Sequence, residues 1–168
     1  NRYNVWVDAK SKNDFNFSFK TQPNLVNVNA DQLLLGKIND SKTADQYYVQ
    51  YTKSKEFKSR YLAVEDAKEK IKDNSAYIKT ISAALKDPSP RIRKLAISAI
   101  DLTKNDQSKA MLKDIENIAQ NDPKTLVQAE AIAALGKLKD KKYAVLYEKG
   151  IAAISNSVKG QSLFAISQ

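Results

Sequence analysis

The 168-residue chain contains no histidine and no cysteine, and its single methionine stands at position 111. Without those two side chains the usual zinc sites cannot be assembled, since structural sites use Cys and His and catalytic ones nearly always include His. Ser-His-Asp and Cys-His nucleophilic arrangements are excluded on the same ground. The composition therefore points away from an enzyme. No apolar run is long enough to suggest a membrane span. The lack of cysteine leaves the compartment open, since it fits a cytosolic protein and equally many bacterial envelope proteins. A chain that opens Asn1-Arg2-Tyr3 reads as a fragment or a processed form, and nothing near its start reads as a signal peptide.

The length suits one domain or two small ones, enough to bury roughly 70% of the unfolded surface. The formal net charge is +9, and nearly all of the excess lies beyond residue 40. Lysines on solvated helix faces account for such a charge, and an acidic or nucleic-acid partner is the sharper alternative.

The most informative feature is a repeat. The stretch Asp87-Pro88-Ser89-Pro90-Arg91-Ile92 through Ala96-Ile97 and Ala99-Ile100 returns as Asp122-Pro123-Lys124-Thr125-Leu126-Val127 through Ala131-Ile132 and Ala134-Leu135, 35 residues on. Weaker copies surround it. Ser157-Val158, Ser162-Leu163, Ala165 and Ile166 fit the same template downstream, and Ala63-Val64 with Ala67 fit it upstream. A period of this size is that of a stacked helical pair. Such a stack offers surface and does not by itself supply an active site.

Two regions with different periods follow from the pattern. Residues 1–40 alternate apolar and polar side chains: Tyr3, Val5 and Val7, then Phe15, Phe17 and Phe19 after a polar turn, then Pro23 to Asn29 and Leu33-Leu34-Leu35-Gly36. Period two predicts half-buried strands, the first two a hairpin. Three strands would leave open edges and a bare apolar face, so they read as the end of a β-sandwich that continues upstream. Residues 41–168 have helical periodicity. The spacing predicts helices at about 43–55, 59–72, 75–86, 90–103, 108–120, 124–138, 140–154 and from 158 on. Asn39 to Thr43 forms a hinge with capping residues. Asp73-Asn74-Ser75, Asp87-Pro88, Asn105-Asp106 and Asn121-Asp122-Pro123 mark turns and caps. Four helix pairs, each with an outer helix and an Ala/Ile-rich inner helix, make a short curved right-handed stack. Alanines at the crossings allow close approach.

The Asp-Pro-x-x-x-Val/Ile opening of the inner helices resembles HEAT and armadillo-type repeats. The fold class is therefore mostly α, a HEAT/armadillo-like α-α superhelix preceded by a few strands of an incomplete β-sandwich. A further likeness lies in Phe15-Asn16-Phe17, Gln22-Pro23-Asn24-Leu25-Val26-Asn27-Val28-Asn29-Ala30-Asp31 and Leu33-Leu34-Leu35-Gly36. This order is similar to the end of the small β-sandwich in the aminopeptidase N family of zinc metallopeptidases. In bacterial members that sandwich leads into a C-terminal helical-repeat domain. Gln50-Tyr51, Phe57, Arg60 and Ala63 resemble the opening of that domain, and Ser157 to Leu163 its final inner helix. The resemblance implies a non-catalytic domain that covers the catalytic cleft and limits or positions peptide. Zinc is then expected in the parent's catalytic domain and no cofactor in this segment. The implied partners are the upstream catalytic and sandwich domains and the peptide. The family's H-E-x-x-H and G-x-M-E-N stretches have no counterpart here, so no catalytic or metal residue carries over. The competing class is a stand-alone repeat scaffold, or a basic module that grips nucleic acid.

Candidate contact residues are few. Arg91, Arg93 and Lys94 open an inner helix and could hold a peptide carboxylate or a phosphate. Against that reading, cations at a helix N-terminus oppose its dipole. The matching places Leu126, Gln128 and Ala129 also lack the charge. Tyr47 and Tyr51, with Tyr48, Phe57 and Tyr61, concentrate the aromatics, and the i, i+4 spacing of the first two suits packing against the sandwich. Trp6 reads as a sheet-face packing residue. Glu65-Asp66, Asp114-Glu116 and Glu130 each have Lys at helical spacing, which predicts ion pairs on a wet surface without raised pKa values. Asp8 to Asp14 lacks the oxygens and the Gly of a calcium loop. Asn16-Phe17-Ser18 and Asn39-Asp40-Ser41 are formal glycosylation sequons with no secretory context around them.

Overall fold

Thr43 starts the helical part of the molecule with a reciprocal cap. The Gln46 amide donates to Thr43 Oγ1 (3.3 Å) and the Thr43 amide to Gln46 Oε1 (2.9 Å). The computed structural model describes residues 3–9, 12–29, 38, 40–104 and 106–168. Its helices are α1 (Ala44–Lys53), α2 (Phe57–Lys70), α3 (Ile78–Ala84), α4 (Pro90–Ser98), α5 (Asp106–Ala110), α6 (Leu112–Asn121), α7 (Thr125–Gly136), α8 (Ala144–Ile151) and α9 (Asn156–Ile166). One-turn 3₁₀ segments, Ser75–Tyr77 and Lys141–Tyr143, lead into α3 and α8.

Each connection follows from its local chemistry. Asn74, Asp87, Asp122 and Asp140 turn their side chains onto the amide two residues ahead, at 2.7 to 3.0 Å. Pro90 occupies the first turn of α4, where a missing N–H costs nothing. The helix expected at 90–103 stops at Ser98. Asp101 closes a separate turn beyond it by accepting from the Thr103 amide and hydroxyl. The helix expected at 108–120 is interrupted at Met111, whose amide donates to Ser108 O at 3.1 Å, three residues back, while its φ of −88° and ψ of 0° stay in the right-handed helical region. Met111 is buried, and the break divides this outer segment into α5 and α6. The turn read at Asn105 lies outside the described residues.

The helices form two layers. α2, α4, α7 and α9 pack successively against one another as the inner row. α1, α3, α6 and α8 each back onto their own inner partner. Between the layers lies one apolar core, with Val64, Ile81, Leu85, Ile92, Ile97, Ile115, Val127, Ile132 and Leu135 essentially inaccessible. Burying each such side chain stabilises by about 1.5–3 kcal/mol. Small residues set the spacing of the inner row. Ala63, Ala67, Ala96 and Ala131 are fully buried, and a Cβ placed on Gly136 would stand 3.0 Å from the Cβ of Ala165.

Residues 3–9 and 12–29 carry no strand or helix among the described residues. They nonetheless double back on themselves. Asp8 N donates to Asn13 Oδ1 (3.1 Å), and Asn13 Nδ2 donates to Asp8 O (3.0 Å). The Tyr3 ring lies 4.6 Å from that of Phe17 and 6.0 Å from that of Phe19. The period-two side chains are about half covered, whereas Trp6, on the opposite phase, is 85% exposed. The expected triplet Leu33-Leu34-Leu35 and Gly36 lie outside the described residues. Asn27 Nδ2 donates to Ser59 Oγ (3.2 Å), which ties this segment to the start of α2.

Candidate binding face

Two of the cationic residues at the inner-helix starts serve the stack itself. Arg93, in the first turn of α4, holds Asp122 with Nε at 2.7 Å and Nη2 at 2.8 Å from the two carboxylate oxygens. Its Nη1 donates to Asp87 O and Pro88 O. Both side chains are largely buried, at 11% and 4% exposure. One repeat earlier Arg60 repeats the arrangement, with Nε 3.0 Å from Asp87 Oδ2, and Tyr51 OH donates to the same oxygen at 3.0 Å. Each Asp-Pro turn is thereby clamped by an arginine of the preceding inner helix. Burial would push the Asp122 carboxyl up, but hydrogen bonds from Arg93 and the Lys124 amide hold it below its ordinary value.

Tyr51 and Tyr47 face the helical core. Burial, with Asp87 beside it, drives the Tyr51 hydroxyl well above its ordinary range. Tyr47 is 1% exposed, packs against Tyr77 at 5.9 Å and accepts from Lys70 Nζ at 2.7 Å. Among the described residues both rings are engaged within the first two helix pairs. Asp66 lies in the same cluster, and burial raises its pKa despite Lys70 nearby, contrary to the wet surface expected for it. Asp114 and Glu130 do form ion pairs, but across repeats rather than at helical spacing, with Lys86 at 3.3 Å and Lys94 at 3.8 Å. Glu116 accepts from Tyr143 OH at 2.6 Å, and Lys142 Nζ is 3.3 Å away. Those partners outweigh desolvation and lower its pKa.

Arg91 and Lys94 remain exposed on the open side of the inner row. The Arg60–Asp87 and Arg93–Asp122 pairs form a ladder along the stack, and its register differs from the simple 35-residue offset between 91–94 and 126–129. Arg60 and Arg93 are equivalent, so Lys58 and Arg91, each two residues earlier, are equivalent as well. The first-turn charge recurs in two repeats before Leu126 replaces it in the third. Phe57 and Tyr61 sit beside Lys58, their ring centroids 5.7 Å apart. Toward the other end an open groove of about 330 Å³ runs between α4, α7 and α9, lined by Lys94, Leu126, Glu130, Asn156, Gly160 and Gln161. Among the described residues no cluster of three or more acidic groups could hold a metal ion, and no helix is long and apolar enough to cross a membrane.

A stack of antiparallel helix pairs with Asp-Pro turns and Ala-rich inner helices defines an α-α solenoid, a class that presents surface for binding. The family model for HEAT repeats matches residues 48–136 and again 78–152, together more than half of the chain. The chain belongs to the HEAT-repeat family. Comparison with curated proteins and with solved structures gives no match.

Proposed function

We propose that this chain is a non-catalytic positioning domain whose inner-helix face holds peptide. In this reading it is the C-terminal region of an aminopeptidase N-like zinc peptidase, where it covers the cleft and limits which peptides enter. The observation that carries the reading is the inner face itself. The ladder arginines are turned inward and neutralised, while Phe57, Lys58, Tyr61, Arg91 and Leu126 are left along one open surface. The order of motifs in residues 15–36, followed directly by the repeats, supports the parent. Any zinc and any peptide-bond chemistry would belong to that parent's catalytic domain, and this segment contributes shape and charge.

The test is the full reading frame upstream of Asn1, together with the activity of the whole protein. An H-E-x-x-H motif with a distal Glu is expected there. Deleting the helical repeats should alter the peptide-length preference more than the hydrolysis of a single-residue amide. An upstream frame without that motif overturns the parent assignment. A net charge of +9 supports the second reading, a stand-alone scaffold or nucleic-acid binder. That reading requires duplex binding whose affinity falls steeply with salt.

A further inference from the structure

We infer that the inner-helix face is a track for an extended acidic peptide, which crosses α2, α4 and α7 with one anchor per repeat. The inference rests on the peptide-positioning reading and goes beyond it by assigning the residues and the chemistry of the ligand. The anchors are Lys58 and Arg91, at equivalent places two residues before the ladder arginines, and then Leu126 with the groove beyond it. Both cations are exposed, and among the described residues neither makes an ion pair. Lys58 Nζ stands 5.9 Å from the Tyr61 centroid, and Arg91 is close enough to Tyr61 to act on its ionisation. Lys58 thus stands over the Tyr61 ring, and Arg91 lies near enough to be felt at its hydroxyl. Phe57 is 39% exposed beside that ring and Leu126 is 59% exposed in the next repeat but one.

The geometry sets a register for the ligand. Packed helices lie about 8–10 Å apart, and a peptide in the extended polyproline II conformation rises about 3.1 Å per residue with three residues per turn, so every third side chain returns to the same face at about the spacing of the anchors. The fitting peptide carries carboxylates at i and i+3, facing Lys58 and Arg91, and an apolar side chain at i+6 over Leu126. Its backbone would lie along Tyr61 and Lys94. A polyanionic nucleic acid fits less well. Glu65, which bonds to Tyr61, and Glu130, paired with Lys94, line the same face, and the third anchor is apolar.

The experiment is fluorescence-anisotropy titration of the 168-residue chain with four labelled probes. They are a peptide with Glu at i and i+3 and Leu at i+6, its Gln-for-Glu analogue, the same residues in scrambled order, and a single-stranded oligonucleotide. The expected result is tightest binding of the first probe. Arg91→Glu should weaken it about tenfold, Lys58→Glu by a similar factor, and Leu126→Ser by less. All three positions are exposed, and far-UV circular dichroism of each variant confirms that the helices persist. Lys149→Glu, on the outer layer, should change little. Equal affinity for the Gln analogue or the scrambled probe overturns the track, as does insensitivity to Arg91→Glu, tighter oligonucleotide binding or no binding at all. None of these outcomes bears on whether a zinc motif lies upstream, so the two proposals fail separately.

Discussion

Arg93 joins two Asp-Pro turns with one side chain. Its guanidinium grips Asp122, 29 residues ahead, through two hydrogen bonds of 2.7 and 2.8 Å, and donates back to the carbonyl of Asp87 at 2.8 Å. Arg60 and Asp87 form the same contact one repeat earlier. The pairs lie at the boundary where one helix pair meets the next, so they fix the register of stacking as well as the turns.

Removing one partner of the Arg93–Asp122 pair should be costly because the other charge stays buried. Asp122→Leu or Arg93→Met alone is expected to lower unfolding stability by about 3–5 kcal/mol. The double change leaves no stranded charge and should recover most of that loss. Urea denaturation of the two single variants and the double closes the cycle. An additive double variant would mean that the pair is not coupled across the repeat boundary.

The acidic groups titrate in opposite senses. Arg93 and the Lys124 amide lower the pKa of Asp122 in the folded state against the pull of burial. Its contribution is therefore present above the unfolded carboxylate value and is lost as pH falls through the lower folded one. Burial raises the pKa of Asp66. Folding is favoured with that carboxyl protonated, and this advantage disappears as pH rises through its elevated value. Asp66→Asn should therefore stabilise the protein at pH 7 by about a few tenths of a kcal/mol, a gain kept small by solvent screening. The gain should vanish near pH 3, whereas Asp122→Asn should destabilise at pH 7. Thermal melts from pH 3 to 8 on both variants check the two signs.

Sequence periodicity located nearly all the helical elements, because an apolar residue every three or four positions needs no knowledge of partners. It placed Ala96 and Ala131 at buried crossings, and both are inaccessible. It overran α4 and missed the break at Met111, since both depend on local turn geometry that a helical stripe does not encode. The site was harder to read. Arg93 looked available because its partner lies 29 residues away, and nothing local shows a buried carboxylate waiting there. The signal that was present is the recurrence of Arg at 27 and 29 residues before each Asp-Pro. Following it aligns Lys58 with Arg91 and brings out the charge that a comparison with residues 126–129 hides.

The alanines at the crossings lead to a packing prediction. Ala96→Leu and Ala131→Leu each insert a branched side chain where no space is left. A loss of about 1–3 kcal/mol is expected for each, read as a lower denaturation midpoint at an unchanged slope. If both variants melt like the parent chain, the inner row is packed in a different register.

The glycines of the last repeat separate close packing from mere helix propensity. At Gly150, in α8, a Cβ would come within 2.0 Å of Ser162 Oγ and 2.9 Å of Ser162 Cβ. Ser162 is fully buried on α9 and too short to swing clear, so Gly150→Ala must push the two helices apart. The same change at Gly160 meets nothing within 4 Å. Gly150→Ala should destabilise by about 1–3 kcal/mol, and Gly160→Ala should stabilise by up to about 1 kcal/mol through helix propensity alone. Adding Ser162→Ala to the first variant removes the oxygen but leaves the Cβ contact, so only partial rescue is expected. Chemical denaturation of the three variants decides the matter. Full rescue would place the strain on the hydroxyl, and no loss at Gly150 would show that α8 and α9 stand further apart than their backbones indicate.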